Sequence, residues 1–356
     1  MNLNALKLAA IAFSAVALSG CTLTSSSSTA VKYDGGVWRS ADAGGIFAQA
    51  NDILTTKGKV ATLANQNINK MAIDPQDDKT VYLAAEGNGV FVSTDAGVSW
   101  QAFGNLGKTS ATELGVDPKD KCVVYAVIGN KLYKTENCGR DFTNVYYHQK
   151  AGITLTALAV DTKVSKVVYL GTSDGEILKS LDGGITWTTV NRVSGDKVID
   201  IIVDPFESRI VYAGTAKSGL LKSVDSGMSW NDLGPGLKTY IGSSQYRQLI
   251  YDYSTANSLM LISKFGILRT FDGGGTWKVI ELLPETKNLD ILAAAINPKN
   301  SQEFYYVTAS GFLKTIDGGV KWSSRKLPFT QRYVSGMYVG RADANVIYLA
   351  TKLIKK

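Results

Sequence analysis

Short apolar runs separated by polar turns recur along most of the chain. The stretches VDPKDKCVVYAV and VDPFESRIVYAGT each hold an apolar segment ending in Asp-Pro, a polar turn and a second apolar segment with Tyr. The same phase recurs in AIDPQDDKTVYLA, AVDTKVSKVVYLGT and AINPKNSQEFYYVT. Apolar runs of this length between turn residues predict β-strands. No helical period competes with them outside the first twenty residues.

An octapeptide forms a second landmark in every unit. SLDGGITW begins at residue 180, and related copies begin at residues 40, 93, 135, 223, 270 and 315, at intervals of 42 to 53 residues. Each unit is therefore predicted to contain, in order, a strand, a turn, a second strand, a Gly-containing hairpin turn, a third strand, the octapeptide and a fourth strand. Four short strands in a repeat of about 45 residues are typical of a blade of a β-propeller.

The two ends of the chain predict how the ring closes. Two strands, near YVSGMYVG and ANVIYLAT, follow the last octapeptide, and only one, GGVWRS, precedes the first. Joined, they complete one blade and leave no free sheet edge. We therefore predict an all-β fold, a seven-bladed β-propeller of four-stranded antiparallel blades whose N- and C-terminal strands share one blade; six or eight blades are the alternatives.

Composition agrees with a folded protein rich in turns. The 356 residues are 45% hydrophobic and 19% charged, with 35 glycines and 7 prolines, and the formal net charge is +7. Removal of residues 1–20, in which Lys7 is the only charged residue, leaves +6. An excess of positive charge attracts acidic proteins, anionic lipid head groups or acidic polysaccharide.

The octapeptide resembles the Asp-box, or BNR repeat, written Ser/Thr-x-Asp-x-Gly-x-Thr/Ser-Trp. In such a turn the Asp side chain accepts backbone N–H bonds and the Trp ring packs between strands. The resemblance implies turns on the side away from the ligand, so we expect a structural role. In the third copy, Asn137 replaces the Asp. We expect a neighbouring disulfide to stabilise this turn instead. The box residues so assigned are Asp42, Asp95, Asp182, Asp225, Asp272, Asp317, Trp100, Trp187, Trp230, Trp277 and Trp322.

The N-terminus predicts export. An apolar run from Leu8 to Leu18 is too short to span a bilayer comfortably. The following Leu18-Ser19-Gly20-Cys21 resembles the bacterial lipoprotein signal, which implies that Cys21 becomes the lipidated first residue. An ordinary signal peptide is the alternative. Thr22 is not the Asp of an inner-membrane retention signal, which favours the outer membrane or cell surface. We expect a signal peptide at 1–20, the lipidated Cys21 and a Ser-rich tether at 21–32, and a single propeller at 33–356.

Two further cysteines are predicted to form a disulfide. If VVYAVIGNKLYKT forms a hairpin that turns near Gly129, residue 122 lies opposite residue 137, which brings Cys122 and Cys138 together. An exported protein permits the bond. Two separate thiols are the alternative.

The loops between blades, together with the hairpins between second and third strands, should gather on the face opposite the octapeptides. These loops hold few acids and many Lys or Arg, and the segment ILTTKGKVATLANQN is the longest of them. We expect a basic face that binds a protein partner or an acidic polysaccharide; a merely solvated rim is the alternative. Nucleic acid is not expected for an exported lipoprotein. The residues assigned to the ligand face are Lys238, Arg247, Arg325, Lys326 and Arg332.

A second set of basic residues precedes the octapeptide in six units. Its strict phase indicates a role in blade architecture rather than in binding. The set consists of Arg39, Lys134, Lys179, Lys222, Arg269 and Lys314.

Enzymatic activity on a glycan is the alternative hypothesis. The Arg-Ile-Pro motif of sialidases is absent from the sequence, and the xyloglucan-cleaving Asp-box enzymes are expected to act across a cleft between two propellers. Glu113 and Asp200, each four residues before an Asp-Pro landmark, could act as an acid and base pair of a glycosidase. We interpret His148 as a surface residue, and no cofactor or metal is expected because no His, Cys or carboxylate cluster has ligand spacing.

The whole pattern is similar to Asp-box propellers without enzymatic activity, namely the photosystem II stability and assembly factors and the sortilin-type receptors. The resemblance implies an exported module that binds a protein partner at a membrane, and we expect a monomer. Nothing in the sequence indicates a photosynthetic host.

Overall fold

A computed structural model describes residues 34–55, 60–193, 195–283 and 289–354. The predicted signal peptide, Cys21 and the tether lie outside these residues, as do Lys57 and Lys59 of the long loop. Among the described residues, no helix has both the length and the apolar character needed to cross a membrane.

Seven antiparallel sheets form a seven-bladed β-propeller, as predicted. The chain enters with two strands of blade 7 and then adds a short hairpin. These elements are β1 (Val37–Ser40), β2 (Ala48–Gln49), β3 (Asp52–Leu54) and β4 (Val60–Thr62).

Blades 1 to 3 follow in chain order. Blade 1 contains β5 (Ile68–Ile73), β6 (Val81–Ala85), β7 (Gly89–Ser93) and β8 (Ser99–Ala102). Blade 2 contains β9 (Glu113–Val116), β10 (Val124–Ile128), β11 (Lys131–Thr135) and β12 (Thr143–Tyr147). Blade 3 contains β13 (Leu155–Val160), β14 (Val168–Thr172), β15 (Glu176–Ser180) and β16 (Thr188–Arg192).

Blades 4 to 6 repeat the arrangement, with one short helix between blades 4 and 5. Blade 4 contains β17 (Val198–Val203), β18 (Val211–Thr215), β19 (Gly219–Ser223) and β20 (Asn231–Asp232), followed by α1 (Gly234–Leu237). Blade 5 contains β21 (Tyr246–Tyr251), β22 (Leu259–Ser263), β23 (Gly266–Thr270) and β24 (Lys278–Ile280). Blade 6 contains β25 (Ala293–Asn297), β26 (Asn300–Thr308), β27 (Gly311–Thr315) and β28 (Ser323–Arg325).

Blade 7 closes the ring with strands from both ends of the chain. Its last two strands in sequence are β29 (Arg332–Val339) and β30 (Ile347–Leu353), and the sheet order is β2, β1, β30, β29. β1 pairs with β30 in antiparallel register, with Val37 opposite Ala350. The predicted closure by shared terminal strands is confirmed.

Blade 1 differs from the prediction. The segment expected to be a long loop forms the hairpin of β3 and β4, and β3 adds to the outer strand β8 in parallel register. The sheet therefore has six strands rather than four. Trp100 of the octapeptide donates its indole N–H to the carbonyl oxygen of Ala50 (2.8 Å), which holds the incoming chain against the blade.

Large side chains packed between neighbouring blades form the core. A Tyr of the second strand is fully buried in five blades, because each ring lies between two sheets rather than on a surface. These residues are Tyr125, Tyr169, Tyr212, Tyr305 and Tyr348.

The octapeptide turns are held by their own side chains. In the copy at 180, Asp182 accepts the backbone N–H groups of Ile185 and Thr186 at 3.0 and 2.9 Å and the Thr186 hydroxyl at 2.6 Å. Ser180 donates to Asp182 and accepts the N–H of Gly184 at 2.8 Å. These bonds lower the pKa of Asp182, the Thr186 side-chain bond most of all. In the third copy the Asn137 amide oxygen accepts the Asp141 N–H (3.1 Å), so Asn137 replaces the acid directly and no substitute is needed.

Each turn is also fixed to its blade by a backbone bond. The fourth residue of every octapeptide donates its N–H to a carbonyl in the loop before the second strand or, in blade 6, at Gln302 near the start of that strand. Examples are Ala96 to Lys79 (2.9 Å) and Ser226 to Arg209 (2.8 Å). In blade 2 the two residues at this junction are Cys138 and Cys122, which also form the predicted disulfide.

Four of the six phased basic residues join one blade to the next, namely Arg39, Lys179, Lys222 and Lys314. Lys134 pairs instead with Glu136, and Arg269 pairs with Asp252, each within its own blade. Lys179 and the hydroxyl of Tyr169 both donate to the carbonyl oxygen of Ser226 in the following octapeptide, at 2.8 and 3.0 Å. Lys222 and Tyr212 bond in the same way to Gly273, at 2.8 and 3.1 Å. We call this arrangement the interblade latch. The basic row thus serves the architecture, as its spacing indicated.

Candidate functional site

The first strands of the seven blades surround a central cavity of about 930 Å³. One position per first strand, four residues before the Asp-Pro landmark or its equivalent, contributes several polar side chains to this region. Lys70, Glu113, Asp200 and Gln248 occupy this position in blades 1, 2, 4 and 5, whereas Ala157, Ala293 and Gly336 occupy it elsewhere. Further polar lining residues include Tyr246, Arg247, Asp290, Tyr338 and Lys352.

A β-bulge precedes this position in most of the inner strands. The register shifts between Ile68 and Lys70 in β5 and between Val198 and Asp200 in β17, with equivalents in β13, β21 and β29. A bulge locally redirects side chains. Several of the extra residues bond across to the next blade, as Asn69 does to the carbonyl oxygen of Ala111 (2.6 Å) and Ser335 to that of Ile68 (2.7 Å).

Glu113 forms an ion pair with Lys70 inside the cavity. The Lys70 Nζ lies 2.9 Å from the Glu113 carboxylate, and the two side chains are 32% and 16% exposed. Burial raises the pKa of Glu113 although the charge of Lys70 opposes the shift. Burial lowers the pKa of Lys70, but the negative charges of Glu113 and Asp200 outweigh it, so the pKa rises.

Asp200 has a neutral partner. The hydroxyl of Tyr246 donates to its carboxylate at 3.1 Å. Burial raises the pKa of Asp200 against the charge of Lys70, and burial beside the carboxylate raises the pKa of Tyr246 well above its ordinary value. The positive charge of Lys70 therefore acts on the carboxylates of both Glu113 and Asp200. Both candidate acids face the same cavity.

The loop face carries fewer available cations than the sequence predicted. Arg332 was assigned to this face, yet its side chain is only 8% exposed, lies 3.4 Å from Asp34 and donates to the side-chain oxygen of Asn67 at 3.0 Å. The assignment is corrected, because the incoming chain covers Arg332. Arg247 forms an ion pair with Asp290 and donates to the carbonyl oxygen of Ile291 (3.1 Å), so it mainly links blades 5 and 6.

The sequence analysis predicted few acidic residues on this face, but several of them lie there. Asp174 and Glu176 flank the hairpin turn of blade 3, where they pair with Lys150 at 2.7 Å and with Arg192 at 2.9 Å. His148, interpreted as a surface residue, is buried, and its Nε2 lies 3.2 Å from Glu176. The stretch TSDGE, residues 172–176, could have predicted these acids, because hairpins between second and third strands lie on this face.

Lys238, Arg325 and Lys326 remain exposed. Among the described residues, none of the three forms an ion pair. Within the same ranges, no group of three or more His, Cys, Asp or Glu side chains is placed to hold a metal ion.

Comparison with known proteins finds no matching family model. Curated sequence relatives are a xyloglucanase of Paenibacillus sp, 30% identical over 168 residues, and one of Hypocrea jecorina, 29% identical over 171 residues. Each alignment covers 35% of this chain, and the two cover 16% and 20% of the respective enzymes. The chain therefore matches only a small part of these relatives.

Solved structures share the fold at low sequence identity. The GH74 xyloglucanase from Xanthomonas campestris superposes with a TM-score of 0.64 and 16% identity, over 80% of this chain and 51% of that enzyme. YCF48 bound to D1 peptide superposes with a TM-score of 0.61 and 14% identity, over 82% of this chain and 94% of YCF48. YCF48 from Cyanidioschyzon merolae gives 0.60 and 12%, over 80% and 95%.

Proposed function

We propose that the protein is an envelope-anchored binding or assembly module that recognises an anionic segment of a protein partner through its loop face. The observation that carries the proposal is the imbalance of charge on that face. Asp174, Glu176 and Asp290 are each paired with a cation, and the exposed Glu86 accepts a hydrogen bond from Asn67. Lys238, Arg325 and Lys326 are exposed without an ion partner among the described residues. Such unpaired charges attract and orient an acidic partner.

The lengths of the matched structures support a binding role. YCF48, which has been solved with a bound peptide, matches over nearly its whole length, so one propeller of this size suffices for binding a peptide in that protein. The xyloglucanase structure extends well beyond the matched half. The single ring described here is the part that both kinds of protein share.

A double charge reversal tests the proposal. Arg325→Glu with Lys326→Glu should weaken capture of partner proteins from envelope extracts at least about tenfold, which corresponds to about 1.4 kcal/mol. Thermal stability should hardly change, because both side chains are exposed. Lys119→Glu with Lys121→Glu is the matched control, since it makes the same change of charge on exposed residues of the opposite face. Equal capture by both variants and the unmodified protein would refute the basic-face proposal.

In-cell crosslinking identifies the partner. A lysine-reactive reagent followed by mass spectrometry should return the same protein joined at Lys238 or Lys326 in repeated experiments. If these lysines join only to other residues of this chain, a protein partner is excluded and an acidic polysaccharide becomes the ligand to test.

Hydrolysis of a glycan is the second candidate function. Glu113 and Asp200 face one cavity, and the raised pKa of each is the property that a general acid requires. The sequence match to xyloglucanases supports the same idea. The Lys70 ion pair opposes it, since Glu113 must leave Lys70 to act on a substrate. A polysaccharide screen decides: activity that survives both Glu113→Gln and Asp200→Asn would exclude these residues, and absence of activity on all substrates would remove this candidate.

Cellular location completes the proposal. We place the propeller at the outer membrane or cell surface, held by lipid on Cys21 and separated from it by the short Ser-rich segment. More than one acyl chain gives stable anchoring, whereas one gives reversible binding.

A further inference from the structure

The central cavity contains a carboxylate without a counterion. Asp200 lines the cavity and accepts a hydrogen bond from the hydroxyl of Tyr246, a neutral partner, at 3.1 Å. Glu113 in the same cavity has the ammonium group of Lys70 at 2.9 Å. Asp200 forms no such ion pair with any residue that the structure describes. A carboxylate enclosed in protein is costly unless an opposite charge comes close.

The lysines of the cavity act mainly on Glu113. Burial raises the pKa of Glu113, and the charges of both Lys70 and Lys352 oppose that shift. Burial also raises the pKa of Asp200, and of these two lysines only Lys70 opposes it. One ammonium group thus acts on two carboxylates, and its ion pair is with Glu113. The surroundings of Asp200 therefore favour a further positive charge.

Two arginines that line the cavity are occupied by other partners. Arg247 forms an ion pair with Asp290. Arg341 lies over the ring of Tyr253, 4.4 Å from its centre, and donates to its hydroxyl at 3.0 Å. Tyr253 follows the first strand of blade 5 and Arg341 follows that of blade 7, so their contact reaches past blade 6 and narrows the cavity at the octapeptide face. Neither arginine pairs with Asp200.

An apolar layer adjoins the charged residues inside the cavity. Side chains two residues apart lie on the same side of a strand, so the residues two positions after Lys70 and Asp200 line the cavity closer to the octapeptide face. The equivalent residues are apolar in five blades, and an alkyl chain that packs against them leaves water, which is favourable. These residues are Ala72, Ala159, Ile202, Ile250 and Ala295.

We propose that the central cavity binds a small primary alkylammonium ion, with its ammonium group on Asp200 and its alkyl chain in the apolar layer. An ammonium group supplies the missing positive charge and three hydrogen-bond donors. A hard metal ion fits less well, because it requires about six oxygen ligands and no group of three or more metal-binding side chains lies among the described residues. The volume of about 930 Å³ is within the range of ligand sites. The site is separate from the loop surface proposed to bind a partner and does not depend on it.

Calorimetric titration of the purified full-length protein with 1-aminopentane tests the site. We expect saturable binding of one amine per chain, and about tenfold weaker binding of 1-aminopropane, which buries two methylene groups fewer. Pentan-1-ol and pentanoate have the same chain without the positive charge and should bind at least about tenfold more weakly. The absence of saturable binding of 1-aminopentane up to about 10 mM would overturn the proposal.

Asp200→Asn is the decisive variant, because it removes the charge and keeps the shape and an acceptor for Tyr246. It should weaken binding of 1-aminopentane at least about tenfold. Asp141→Asn is the matched control, since it removes the same charge from an exposed octapeptide residue of blade 2, and it should bind the amine as the unmodified protein does. Unchanged binding by the Asp200 variant would place the amine elsewhere and refute the proposal.

A second variant tests the position of the alkyl chain. Ala159→Leu fills part of the apolar layer without changing the charge, so it should weaken binding of 1-aminopentane more than that of 1-aminopropane. Circular dichroism should confirm that both cavity variants are folded. An equal effect of Ala159→Leu on the two amines would contradict the placement of the chain in the apolar layer.

Discussion

The disulfide of blade 2 permits a quantitative prediction, because the other six blades show the same junction without it. In each of them a backbone bond alone joins the octapeptide turn to the loop between the first and second strands. We therefore expect Cys122→Ser with Cys138→Ala to leave the native structure unchanged. Ala is suited to the second position, since Ala43 and Ala96 adopt there the same positive φ as Cys138, at 55°, 59° and 56°.

The cost should come from the unfolded chain. The bond closes a loop over a separation of 16 residues. Loop-closure entropy for this length is about 3 kcal/mol at 25 °C. For a protein of this size the loss should lower the Tm by about 4 °C.

Thermal unfolding followed by circular dichroism, with and without dithiothreitol, is the assay. The unmodified protein should lose stability on reduction, and the double variant should start at that lower value and not respond to the reductant. Equal Tm values for the oxidised protein and the variant would refute the entropic argument. A loss far above 3 kcal/mol together with an altered near-ultraviolet spectrum would show instead that the bond shapes the blade.

Three further predictions concern a buried ion pair, the acid response and the anchor. Arg269→Met should cost about 3–5 kcal/mol in urea unfolding, because Asp252, which is fully buried 2.5 Å from Arg269, loses its cation. Lys222→Met loses a bond to a carbonyl and a contact with the Tyr212 ring but leaves no buried carboxylate unpaired, so it should cost about 1–2 kcal/mol. Hydrogen bonds from the Ser229 side chain and backbone lower the pKa of Asp225 to about 2, so its contribution to stability should disappear as the pH falls from about 4 to about 2. Asp225→Asn should therefore flatten the dependence of unfolding on pH in that window, and an unchanged slope would contradict this reasoning. Cys21→Ser should abolish labelling by a fatty-acid analogue and release the protein from membranes, whereas Cys122→Ser should remain labelled.

The fold could be predicted because its information is local and repeated. Each blade carries an octapeptide, most carry a buried Tyr in the second strand, and blades 1, 2 and 4 carry Asp-Pro itself. The unequal ends determine how the ring closes. The pairing of Cys122 with Cys138 also followed from the register of a single hairpin. The regular spacing of residues such as Lys179 indicates a structural role. The spacing does not identify the bonding partner, which lies in the next repeat.

The loop face was predicted less well, because its properties depend on contacts between distant parts of the chain. Arg332 is covered by Asp34, which lies 298 positions earlier in the sequence. Arg247 is paired with Asp290 of another blade. A count of charges in loops cannot show such pairs.

Closure of the ring by both termini determines when the fold can be completed. β1 has to wait for β30, the last of the described strands in sequence, because Val37 pairs with Ala350, which lies 313 positions later. A pairing so distant in sequence forms slowly, and until then β1 has no inner neighbour. In a chain that crosses a membrane from its N-terminus, the ring stays open throughout translocation. Under the proposed export, the chain would therefore remain threadable until β30 has emerged, and the ring would close only afterwards.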